Sequence, residues 1–84
     1  MDINRLVLYL NQGREIELSC YQSQYLLTPD YDNCKSNEIH YFIYDCRIEE
    51  NIFSGTINQV INYKFLEQYT LQNNLDTFHI AYVL

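Results

Sequence analysis

Apolar residues Ile3, Leu6, Val7 and Leu10 recur at the three- and four-residue intervals of one helical stripe, with Asp2 placed to cap the start. Gly13 stands where a left-handed residue would close the helix, so the spacing predicts about three turns ending there. From Arg14 the period falls to two. Ile16, Leu18 and Cys20 face one way and Glu15, Glu17 and Ser19 the other, the alternation of a half-buried strand. Polar Gln22, Ser23 and Gln24 predict a turn longer than the minimal hairpin, leading into a second strand over 25–28 that Pro29 ends. Segment 39–46 reads as a third strand, central or well covered, because Tyr41, Phe42, Ile43 and Tyr44 put bulk on both faces.

Past a charged turn at 47–51, Thr56 and Gln59 have the spacing of a capping box, and Ile57, Val60 and Ile61 supply the stripe of a short helix. Thr70 is placed to cap a second short helix through Leu71 and Leu75. Phe78, Ile80, Tyr82 and Leu84 then alternate with His79, Ala81 and Val83, as in a final strand. The prediction is a single compact α+β domain over 1–84: an N-terminal helix, a three-stranded antiparallel meander, two short helices and a C-terminal strand. Helices cover one face of the sheet and the other stays partly open.

The length of 84 residues allows one core and little room for a cleft, which argues against a pocketed enzyme. Five Lys and Arg against eleven Asp and Glu give a net charge of −6. Such a domain lacks the cationic surface behind most nucleic-acid affinity, and a basic protein groove would attract it instead. The longest N-terminal apolar run, 6–10, is too short for a signal or a span of roughly 20 residues, so the expectation is a cytoplasmic monomer without direct membrane or nucleic-acid contact. In that reducing setting the odd count of Cys20, Cys34 and Cys46 points to burial or metal ligation rather than disulfides.

Two histidines without a nucleophile elbow, phosphate loop or zincin motif leave no set of nucleophile, base and orienter, so no catalytic residue is assigned. Three thiols and two imidazoles do suit zinc, whose tetrahedral shell takes sulfur and nitrogen. In a meander, Cys20 and Cys46 lie at one sheet end, where His79 would join them. Cys34 and His40, with Asp30 or Asp32, form the alternative set at the other end. Simple packing of the thiols as small hydrophobes stands beside both. The remaining constellation is acidic and aromatic: Glu15, Glu17, Asp30, Tyr31, Asp32, Glu38, Asp45, Glu49 and Glu50 are the candidate partner-binding residues, tyrosine being enriched at interface hot spots. The competing reading is that these carboxylates only keep the protein soluble.

The run 13–18, Gly-Arg-Glu-Ile-Glu-Leu after an amphipathic helix, and the run 53–57 leading into Val60, Ile61, Asn62 and Tyr63 resemble small proteins of Gram-positive bacteria, their phages and other mobile elements. In size, acidity and helix–meander–helix order the chain is also similar to short type II-A anti-CRISPR proteins. The resemblance implies a phage-encoded, non-enzymatic inhibitor acting in the host bacterial cytoplasm. Its partner would be a basic surface of an RNA-guided type II CRISPR nuclease, and its effect a block on target-DNA loading, by phosphate mimicry or by preventing a lobe movement. The alternative is a zinc-stabilised accessory or regulatory module of a mobile element with a different protein partner.

Overall fold

A computed structural model describes residues 1–34 and 38–84; positions 35–37, between the second and third predicted strands, lie outside the described residues. Helix α1 spans Ile3–Asn11 and is capped as the sequence predicts, the Asp2 carboxylate accepting from the Arg5 N–H at 2.8 Å. Gly13 has φ +72°, a left-handed conformation that glycine adopts without a Cβ penalty, and it turns the chain into the sheet.

Five strands follow: β1 (Ile16–Cys20), β2 (Ser23–Pro29), β3 (His40–Asp45), β4 (Glu50–Thr56) and β5 (Phe78–Val83). They form one antiparallel sheet in the order β4-β3-β2-β1-β5. The mixed α+β class is as expected, and the sheet is larger than the predicted meander. The predicted charged turn at 47–51 is shorter, residues 46–49 closing a further hairpin, while Glu50 and Asn51 already belong to β4, which runs up to the second helix. The turn between β1 and β2 is also tighter than predicted. Cys20 pairs with Ser23, leaving Tyr21 and Gln22 as the loop, and Tyr21 takes φ +56° where glycine or asparagine is usual.

Helix α2 (Ile57–Ile61) begins with the full capping box: the Gln59 N–H donates to Thr56 Oγ1 at 3.2 Å, and the Thr56 N–H donates to Gln59 Oε1 at 2.9 Å. Helix α3 (Leu71–Asn74) is capped by Thr70 and continues as a 3-10 turn over Leu75–Thr77. Leu6 and Leu10 of α1, Val60 and Ile61 of α2 and Leu71 of α3 share one core with Ile16, Leu18, Leu27, Tyr41 and Ile43 of the sheet. All three helices therefore cover the same sheet face.

Two side chains hold the layers in register. Tyr41 is fully buried, and its one hydroxyl proton is shared between the Arg14 carbonyl at 2.8 Å and the Leu10 carbonyl at 2.9 Å, which also accepts from the Gly13 N–H at 3.0 Å. Phe65 sits in a loop closed by reciprocal backbone bonds to Tyr69 across left-handed Leu66 and Glu67. Its ring is the hub of an aromatic cluster, with Tyr25, Tyr63 and Phe78 centroids at 4.8, 5.0 and 5.2 Å.

Candidate functional site

The helix-free face of the sheet follows from strand alternation. With Ile16, Leu18, Tyr25, Leu27, Tyr41 and Ile43 turned into the core, the intervening side chains point the other way. Register then builds two rows. One crosses the whole sheet as Tyr82, Glu17, Leu26, Tyr44 and Asn51; the other runs through Thr28, Phe42 and Ser54. Glu17, Leu26, Thr28, Phe42 and Tyr44 are all half-buried, the state of side chains shielded by neighbours in the sheet with no layer above them. At one end the 30–33 turn reaches over this face, where Asp30 is buried against Ser54. Glu15 borders it, its carboxylate accepting from the Thr28 hydroxyl at 2.9 Å. None of the five strands carries Lys or Arg, whereas β1, β3 and β4 carry Glu17, Asp45 and Glu50.

The remaining acidic candidates divide by burial. Asp30 is 2% exposed; its Oδ2 accepts from Asn33 Nδ2 at 2.7 Å and from the Ser54 hydroxyl at 3.1 Å, so it ties the 30–33 turn to β4. Asp45 is 7% exposed and accepts from the Arg47 N–H at 2.9 Å, fixing the turn between β3 and β4. Neither offers its carboxylate freely to a partner. Tyr31, Asp32, Glu49 and Glu50 are exposed, the first pair in the 31–34 turn and the second beside Asp45. Glu38 is spoken for within the chain: its Oε1 lies 2.9 Å from His40 Nε2. Glu15 and Glu17 are thus the candidate carboxylates that adjoin the aromatic rows.

The geometry separates the proposed zinc ligands. Cys20 is fully buried on the core face, while His79 pairs with Ser19, one position out of phase, and is exposed on the other side. Cys46 follows core-facing Asp45 and turns toward Glu17; burial, then the Glu17 and Asp45 charges, push its thiol pKa up. Burial raises the Cys20 thiol too. In the alternative set, the His40 N–H donates to Cys34 Sγ at 3.3 Å and the thiol donates to the His40 carbonyl at 3.7 Å, while the His40 ring turns to Glu38. Among the described residues no three His, Cys, Asp or Glu side chains converge to hold a metal.

One feature escaped sequence reasoning. Tyr21, 69% exposed, and Tyr69 stack with ring centroids 5.4 Å apart and oxygens 3.1 Å apart, and that hydrogen bond raises the Tyr69 phenol pKa. The residues lie far apart in the chain, so no local spacing announces the pair.

Compared with protein-family models, with curated proteins and with solved structures, the chain shows no match. No helix of the described residues is long and apolar enough to cross a membrane.

Proposed function

We propose that the protein is a non-enzymatic binding module whose open sheet face docks on a basic protein surface. The observation that carries this reading is the composition of that face: Leu26, Phe42 and Tyr44 at its centre, Glu15 and Glu17 beside them, and no Lys or Arg in any strand. Aromatic side chains supply contact area at low rotamer cost, and flanking carboxylates steer a cationic partner and fix its register. The raised pKa values of Cys20 and Cys46 favour protonated, weakly nucleophilic thiols, in keeping with binding rather than chemistry.

The specific partner proposed is an RNA-guided type II nuclease in a bacterial host, which the protein inhibits by blocking target-DNA loading. Such effectors keep their nucleic acid in positively charged channels, the surface an aromatic and acidic face complements. The test is a pull-down against a type II effector with and without guide RNA, paired with a DNA-cleavage assay. Binding and inhibition are expected, with Tyr44→Ala weakening binding by about 30-fold, the scale of an interface hot spot. Glu17→Lys should weaken it further at low salt than at high salt. Absence of binding together with undiminished cleavage overturns the nuclease assignment. Binding that survives Phe42→Ala, Tyr44→Ala and Glu17→Lys overturns the assigned face.

A further inference from the structure

The sheet ends on one side at β5, whose outer row of backbone groups has no partner strand among the described residues. Leu84 N–H donates inward to the Glu15 carbonyl at 2.8 Å, so by strand alternation the N–H and carbonyl of Val83 point outward. Unpaired strand edges recruit other strands unless charge, proline or a covering element blunts them. The opposite edge is blunted: β4 starts at Glu50, beside exposed Glu49, and bulges opposite Ile43 and Tyr44. Strand β5 reads Phe-His-Ile-Ala-Tyr-Val and has neither a proline nor any Lys, Arg, Asp or Glu. Large apolar groups border it, Met1 at 54%, Tyr82 at 45% and Leu84 at 65% exposure.

We infer that β5 is a homodimer edge, pairing antiparallel with β5 of a second copy to join two sheets into one. A second copy is the occupant because of charge. Copies of a −6 chain repel one another over most of their surface, and two β5 strands can meet with no carboxylate on either strand, the nearest, Asp76, lying two residues before it. Shape agrees with the pairing. A two-fold antiparallel arrangement sets the end of one β5 beside the start of the other. There a shallow hollow of about 400 Å³, lined by Met1, Leu75, Asp76, Phe78, His79 and Ile80, lies ready for the second copy's Val83. The pairing departs from the monomer expected of the sequence. It does not depend on the nature of any other partner, since the open face stays free on the same side of the joined sheet.

Sedimentation velocity and light scattering on the purified chain test this. At roughly 100 μM protein the expected species is a dimer, reverting to the 10.1 kDa monomer on dilution, in line with micromolar affinity for a small edge contact. Ala81→Lys and Tyr82→Lys, both at exposed positions near the middle and end of β5, place like charges across the two-fold and should each leave a folded monomer at that concentration, folding being checked by circular dichroism. A wild-type chain that stays monomeric overturns the inference, and so does a dimer that persists in both folded variants.

Discussion

Tyr41 shows how much one polar atom can contribute in a chain this small. Its ring fills the core and its hydroxyl serves the Leu10 and Arg14 carbonyls. Tyr41→Phe keeps the ring and removes the donor to the Arg14 carbonyl, leaving that of Leu10 to the Gly13 N–H, so it should cost about 1–2 kcal/mol in urea unfolding at neutral pH. Burial also pushes the Tyr41 phenol far above its ordinary value, and that of Tyr25 upward as well. Both therefore stay protonated in the folded chain at pH values where the unfolded chain ionises. Stability from this source is complete below about pH 10, the unfolded value, and drains away as pH rises toward the folded values, by up to about 1.4 kcal/mol per unit for each phenol. Denaturant curves between pH 9 and pH 12 should show that decline, and Tyr41→Phe should make it shallower.

At the level of elements, the junction of β4 and α2 is the tightest local fit. A Cβ on Gly55 would lie 2.6 Å from Gln59 Oε1 and 2.9 Å from Phe53 Cε2, so the capping glutamine can fold back over the strand only because residue 55 has no side chain. Thr56→Ala should lose one capping bond, about 1 kcal/mol. Gly55→Ala should cost more, as it displaces both the Gln59 cap and Phe53; thermal melts of the two variants give the order. This junction also shows where the sequence was legible. Thr56 and Gln59 announced the helix because capping is local chemistry; α1, β1 and β5 followed from periodicity, β2 from its flanking turn and Pro29, and β3 from its bulky strand-favouring residues, all local signals too. Strand β4 was not legible: Ile52 and Phe53 are consecutive apolar residues, the bulge breaks the alternation there, and Ser54 and Gly55 are weak strand formers. Its place is set by pairing with β3, which no short window contains.

For the whole molecule, charge opposes folding and favours the proposed binding. A net charge of −6 opposes compaction, and the described residues contain a single carboxylate-to-base pair, His40 with Glu38. Raising salt from about 10 mM to about 150 mM should therefore raise the melting temperature, while weakening attachment to a basic partner. Composition made the acidic excess legible, and alternation set Glu15 and Glu17 apart from the core-facing residues of β1. It could not distinguish exposed Asp32 from buried Asp30, two positions earlier, because that difference is made by Ser54 and Asn33 reaching the carboxylate. Nor could counting thiols reveal that Cys20 and His79 sit on opposite sides of the sheet.

The strand order carries a further consequence, for the time course of folding. β1 to β4 follow one another as successive hairpins, each able to zip onto the last as the chain lengthens, while the place beside β1 is filled only by β5 from the far end of the sequence. Closing that distant contact is the slow, entropically expensive step. Until it happens, a nascent chain holds Ile16, Leu18 and Cys20 along an unzipped border, so the strand made after the other four is the one that seals the first.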